Sequence, residues 1–253
     1  MKIIADTNIW YMFGEDPALL EKCKGHKICP TFVNIYELSK SENLIKKTEI
    51  IRNAVQALFH FKNNLIADSP FIYLAKLCQN YEYNSSQENK GIFDFTSMFA
   101  KGGNFDPSKL QELSKVLENK RVDLERASKV FNDKALKIRE KITNKKKHRK
   151  NDALQITAGF IDFCLKSITE GKVQLDGLDL NRIELFIKTL DHFFKTIELS
   201  TMKIQANDWY DLAILIYVQP GDVFWTKENR WLRLIEDAGC SKYLFRENEI
   251  NVA

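Results

Sequence analysis

The 253-residue chain predicts an α/β fold: a parallel sheet of about five strands interrupted by a large all-helical insertion. Three observations carry this. Short apolar runs alternate with helical patterns at both ends of the chain, the rhythm of parallel strands joined by crossovers. From about Ile45 to Ser200 strand signals are scarce, and apolar residues recur at three- or four-residue spacing. The composition, 44% hydrophobic and 28% charged, is that of an ordinary globular protein large enough to bury a core.

The first element is the run within MKIIADTNIWY, where Lys2 to Ala5 predicts a buried strand that stops at Asp6. The run is too short and too quickly interrupted for a signal peptide, so Asp6 is expected to stay in the mature protein. A helix is expected around Pro17 to Lys24 and a second short strand at His26 to Cys29. Thr31 then caps a helix with apolar Phe32, Ile35 and Leu38 at helical spacing, and Glu37 lies off that stripe.

In the middle, Asp106 and Pro107 open a long amphipathic helix carrying Leu110, Leu113, Leu117, Leu124, Ala127, Phe131 and Ile138. A second helix is expected from Asn151 to Glu170, with Leu154, Ala158, Ile161, Leu165 and Ile168 inward and Gly171 as its stop. A third follows a cap at Asp179. Its aromatic face, Phe186, Phe193 and Phe194, is read either as core or as a surface for a partner. The polar stretch from Gln79 to Phe93 and the segment near Gly102 read as loops.

After Thr201 the α/β rhythm returns. Met202 to Ile204, Asp222 to Thr226 and Tyr243 to Phe245 are expected strands. Asn207 is expected to cap a helix running to Val218, and another helix spans Asn229 to Ala238. The division that follows is an α/β core of residues 1–62 and 200–253 around a helical insertion of residues 63–199.

Composition removes several chemistries. Five scattered cysteines without CxxC spacing argue against a disulfide framework or a zinc cage, and reduced thiols in a cytoplasmic compartment are the expectation. Four histidines lie far apart in sequence. The most apolar stretch, Leu212 to Val218, is about a third of the roughly 20 residues a membrane span needs, so no membrane association is expected. The formal charge of +4 is mild, but Lys141 to Asn151 concentrates basic residues. Lys145, Lys146, Lys147, Arg149 and Lys150 read either as a solvated helix end or as a patch for phosphates.

Acidic residues recur where a parallel sheet binds its ligands, at the carboxyl ends of the strands. Asp6 ends the first strand, and Glu37 is about a turn and a half into the helix after the second. Asp208 and Asp211 begin the helix after Met202 to Ile204, and Glu228 lies two residues past the strand ending at Thr226. Each has an ordinary explanation as a turn former, an exposed helix residue or a first-turn acid. Asp211 fits such an explanation least, because LAILIYV follows it and a carboxylate at the mouth of a buried helix is costly unless paired or coordinated. Converging carboxylates repel one another and raise each other's pKa. Mg²⁺ or Mn²⁺, which favour oxygen ligands and keep water, would remove that conflict and can support phosphodiester hydrolysis.

In these pieces the chain resembles a PIN-domain nuclease: IIADTNIW, PTFVNIYELS, NDWYDLAILIYV and DVFWTKENRWLRLI carry the family's acids in its order. The resemblance covers residues 1 to about 60 and 200 to 253. It implies an α/β/α sandwich and metal-dependent cleavage of RNA, as in toxin–antitoxin ribonucleases and RNA-processing enzymes, with DNA left open as a substrate. Asp6, Glu37 and Asp211 would hold Mg²⁺ or Mn²⁺, with Asp208 adding or substituting a ligand, and Asn8 and Thr226 would orient them through hydrogen bonds. An antitoxin or other protein partner and a homodimer are further implied alternatives, as is an inactive module that binds RNA or protein. Two departures stand out: Glu228 replaces the family's usual aspartate, and about 140 helical residues replace a helical hairpin.

Overall fold

The computed structural model describes residues 1–40, 47–79, 81–82, 87–102, 106–142, 153–176 and 178–246. The chain opens with strand β1 (Ile3–Ala5), helices α1 (Thr7–Glu15) and α2 (Pro17–Lys22), strand β2 (Ile28–Cys29) and helix α3 (Phe32–Lys40). A helical run follows: α4 (Thr48–His60), α5 (Pro70–Gln79), α6 (Gln87–Ala100), the 35-residue α7 (Pro107–Lys141), α8 (Ala153–Ile168) and α9 (Glu184–Leu199). It closes with α10 (Asp208–Ile214), β3 (Val223–Trp225) and α11 (Asn229–Asp237). The fold is α/β and mostly helical.

The sheet has the order β2-β1-β3 and is parallel throughout, with Ile4 opposite both Cys29 and Phe224. Because side chains alternate along a strand, Ile3 and Ala5 join a cluster with α1, α3 and α4, while Ile4 and Phe224 join one with α5, α8, α9, α10 and α11. Helices thus cover both faces, which explains why the strands read as unbroken apolar runs. The helices of the insertion do not stand apart. Leu185, Phe186 and Phe193 share one core with Ile4 and Trp231.

Against the five strands expected, the described residues contain three, flanked by single parallel bridges of Thr31 to Ile66 and Phe224 to Leu244. Met202 to Ile204 is not a strand, because a side chain takes over its backbone pairing. Asn132 of α7 donates to Ile204 O at 3.0 Å and accepts from Ile204 N at 2.9 Å. At the other end of the chain, Ser241–Tyr243 forms a 3₁₀ turn, and Leu244 makes a single bridge to Phe224, with Phe245 N donating to Phe224 O at 2.9 Å.

Local signals mostly set the helices. Asp106 accepts from Ser108 N at 2.9 Å and Asp179 from Asn181 N at 3.0 Å, as caps should. Thr31 and Asn34 cap α3 reciprocally, Thr31 N donating to Asn34 Oδ1 at 2.8 Å and Asn34 N to Thr31 Oγ1 at 3.4 Å. Gly171 ends its helix segment at φ +76. Two expectations fail. Helix α6 begins inside the polar stretch expected to be a loop, because Thr96 and Phe99 are buried and Phe93 packs on Phe32. Asn207 makes no side-chain cap, and α10 gives way at Leu215 to a 3₁₀ turn (Leu215–Tyr217). Of the inward positions expected in α8, Ile161 and Leu165 are fully buried, whereas Ile168 is 45% exposed. Phe186, Phe193 and Phe194 are buried, the core alternative of their two readings.

Candidate functional site

Parallel register brings the first acid to its partner. The β1–β3 ladder continues past Ala5 through Asp6 N, which donates to Trp225 O at 2.8 Å. Asp6 therefore lies beside Thr226 at the carboxyl end of the sheet, and Thr226 Oγ1 donates to Asp6 Oδ2 at 2.7 Å. Asn8 Nδ2 donates to the same oxygen at 2.9 Å, and Thr7 N donates to Oδ1 at 2.6 Å, which makes Asp6 the cap of α1 as well. Three donors fix a buried carboxylate. Even so, burial pushes its pKa up to about 6, with the charge of Glu228 adding to the rise against the lowering effect of these bonds.

Glu37 is tied in from α3. Thr7 Oγ1 donates to Glu37 Oε2, and Asn34 Nδ2 donates to Thr7 Oγ1 at 3.2 Å and to Ala5 O at 3.0 Å. Asn34 is completely buried. It joins the end of β1, the start of α1 and the capping turn of α3, so the positions of Asp6 and Glu37 are coupled through one amide.

Asp211 comes from α10 and is only partly exposed. Its pKa is driven up to about 9, first by burial, then by the negative charges of Asp6, Glu37 and Glu228, against a hydrogen bond with Trp231. Four carboxylates from four separate segments thus face one region. Glu228 is the exposed member, following β3 with its backbone N–H on Thr226 Oγ1 at 3.1 Å. Asn8 Oδ1 is buried and finds no hydrogen-bond partner among the described residues.

Asp208 does not join them. Both of its oxygens receive the Arg230 guanidinium, at 2.6 and 2.9 Å, and Oδ2 also accepts from Gln205 N at 2.7 Å. That is a bidentate ion pair between a buried carboxylate and a partly exposed guanidinium, and it balances the Asp208 charge. The structure therefore separates Asp208 from the acids it was grouped with. Lys145, Lys146, Lys147, Arg149 and Lys150 lie outside the described residues.

No protein-family model, curated protein or solved structure matches the chain.

What the site can do chemically follows from its donor set. Asp6, Glu37, Asp211 and Glu228 are hard oxygen donors of the kind Mg²⁺ and Mn²⁺ prefer. Burial first and neighbouring negative charge second raise the pKa values of Asp6 and Asp211, and a bound cation would favour their ionised forms. As they stand, no three Asp, Glu, His or Cys side chains among the described residues are grouped closely enough to hold an ion. No described helix is long and apolar enough to cross a membrane.

Sequence patterns did not single out Thr7, Asn34, Trp231 or Arg230. A usable signal existed for Asn34: it is a lone amide inside the apolar turn FVNIY, three residues before Glu37, where burial would require partners.

Proposed function

We propose that the chain is a metal-dependent endoribonuclease of the PIN type that hydrolyses RNA phosphodiester bonds. The observation that carries this reading is Asp211, which burial first and then the charges of three carboxylates from distant parts of the chain keep protonated at neutral pH. Stability alone gives no reason to gather four acids at the carboxyl end of a parallel sheet, where ligands of such folds bind.

Asp6, Glu37 and Asp211 would hold Mg²⁺ or Mn²⁺, with Glu228 at the exposed side. The bound ion would acidify water and stabilise charge on the phosphoryl oxygens. The protein supplies the positioning. Thr226, Asn8 and the Thr7 N–H hold the Asp6 carboxylate in one orientation, and Thr7 Oγ1 holds Glu37. Asp211 would give up its proton as the site fills, since a coordinated carboxylate is ionised.

The test is cleavage of 5′-labelled RNA and of the matching DNA by purified protein in Mg²⁺, Mn²⁺ or EDTA. Activity is expected only with a divalent ion and is expected to fall at least about a hundredfold in Asp6→Asn, with RNA affinity retained. Cleavage that persists in EDTA or in Asp6→Asn refutes the reading. A second reading, a PIN-like module that binds RNA or protein without cutting, draws on the absence of a closed three-acid group among the described residues. RNA binding that Asp6→Asn leaves unchanged, with no turnover in any metal, selects it.

A further inference from the structure

The buried amide of Asn34 uses its whole hydrogen-bonding capacity. Such a group has two hydrogens on nitrogen and two lone pairs on oxygen. Asn34 Oδ1 accepts from Thr31 N and from Thr31 Oγ1, both at 2.8 Å. Asn34 Nδ2 donates to Ala5 O at 3.0 Å and to Thr7 Oγ1 at 3.2 Å. Two of these partners leave no choice about which way the amide faces. Thr31 N can only donate, so the atom facing it is oxygen, and Ala5 O can only accept, so the atom facing it is nitrogen.

That direction passes outward along the network. Thr7 Oγ1 receives a hydrogen from Asn34, and its own single hydrogen goes to Glu37 Oε2. The main chain of β1 and of the turn before α3 thus dictates, through one amide, that Thr7 donates to Glu37. Capping α3 needs only the bonds to Thr31. The two bonds from Nδ2 run instead to Ala5 and Thr7, the residues on either side of Asp6. Asn34 itself stands three residues before Glu37 on the same helix. It therefore clasps both neighbours of one acid from the turn that leads to another.

We propose that Asn34 is a positioning residue for the carboxylate site: it fixes the Thr7 hydroxyl as a donor to Glu37 and so holds Glu37 in register with Asp6 for a shared divalent ion. The inference rests on the nuclease reading above. Its action passes through Thr7 and the main chain. Removing a hydrogen bond that orients a metal ligand lowers metal affinity roughly ten- to a hundredfold. A fully satisfied buried network is also rigid, so a change at Asn34 is felt at Glu37 rather than absorbed on the way.

The experiment measures Mn²⁺ affinity of the full chain by electron paramagnetic resonance of the free ion, well below the Tm of each variant. Asn34→Ala removes both donated hydrogens without adding charge and is expected to weaken binding about tenfold. Thr7→Val cuts the same path and is expected to weaken it by a similar factor, whereas Thr7→Ser keeps the hydroxyl and is expected to bind as the wild type does. Because one path serves both residues, Thr7→Val combined with Asn34→Ala is expected to bind within about twofold of Thr7→Val alone. Crystal structures without metal give a second readout. In Asn34→Asp the introduced carboxylate competes for the Thr7 hydrogen, and Glu37 is expected to leave its place, which it keeps in Thr7→Ser. Wild-type affinity in folded Asn34→Ala overturns the proposal, and so does wild-type affinity in Thr7→Val, which tests the path even where substitution at Asn34 prevents folding. Additive losses in the double variant also overturn it, since they would make Asn34 a contributor to the fold at large. If the wild type binds Mn²⁺ and Glu37 stays in place in Asn34→Asp, the positioning claim alone fails. If the wild type binds no Mn²⁺ while Glu37 shifts in Asn34→Asp, the orientation of Glu37 by Asn34 stands and the nuclease reading falls.

Discussion

Replacing Asp211 with Asn should make the metal-free protein more stable, and the size of the effect can be worked from the site. An ordinary aspartate ionises near 3.8, whereas Asp211 in the folded chain does so at about 9. At 1.36 kcal/mol per pH unit, keeping this group neutral at pH 7 costs the folded state about 4 kcal/mol. Partial exposure and solvent screening reduce that to about 2–3 kcal/mol, still a large share of a total of roughly 5–15. The folded pKa is raised above the unfolded one, so the favourable contribution is complete below 3.8 and is lost as pH rises through about 9. Asp6, raised to about 6, loses stability in the same direction over a narrower window. Asp211→Asn removes the first penalty and keeps an oxygen for Trp231. In urea titrations with EDTA the variant should therefore match the wild type near pH 4 and exceed it by about 2–3 kcal/mol at pH 7.5, equivalent to about 5–10 °C in Tm. Mn²⁺ at a hundred times its Kd should return about 2.7 kcal/mol to the wild type and far less to the variant. A variant no more stable than wild type at pH 7.5 in EDTA, or a gap that widens toward acid, would refute the reasoning.

Three further outcomes are expected. Asn34→Ala removes an amide that binds Thr31, Ala5 O and Thr7 Oγ1, and should cost about 2–4 kcal/mol in urea titration because it strands buried partners; a loss below about 1 would mean those groups find other partners. Gly14→Ala should destabilise by about 1–3 kcal/mol, reversing the usual gain of alanine in a helix, since a Cβ there would stand 2.7 Å from Ala54 N and 2.8 Å from Asn53 C; an unchanged Tm would show that α1 and α4 can part cheaply. Arg230→Met strands the buried Asp208 and should cost about 3–5 kcal/mol, most of it recovered by adding Asp208→Asn; Asp208→Asn alone should keep cleavage within about tenfold while Asp211→Asn loses it, and equal losses would return Asp208 to the reactive set.

Much of the frame was legible because it depends on local pattern. The strands at Ile3, Ile28 and Val223 read as apolar runs since helices bury both of their faces. Their ends were marked by the polar residues that follow, Asp6 and Thr226. The expected strand at Met202 to Ile204 failed for a reason no local window contains: Asn132, 72 residues earlier, satisfies both backbone groups of Ile204. Helix α6 was hidden for a related reason. Its polar composition says loop, and only burial of Thr96 and Phe99 against distant elements makes a helix worthwhile.

The acids show the same division between pattern and partner. Asp208 and Asp211 stand three residues apart on one short helix, and spacing alone makes them a pair. Their environments separate them. Asp208 meets a guanidinium that follows β3, so its charge is balanced where it stands, whereas burial and then the charges of three carboxylates keep Asp211 protonated at neutral pH. Arg230 lies only two residues beyond Glu228, so the segment after β3 delivers an acid to one aspartate and a cation to the other. A substitution at Arg230 would thus reach the other carboxylates through the packing of α10 and through its own neighbours Glu228 and Trp231. The charge imbalance felt by Asp211 itself arises from Asp6, Glu37 and Glu228, and that imbalance is the property a divalent ion would answer.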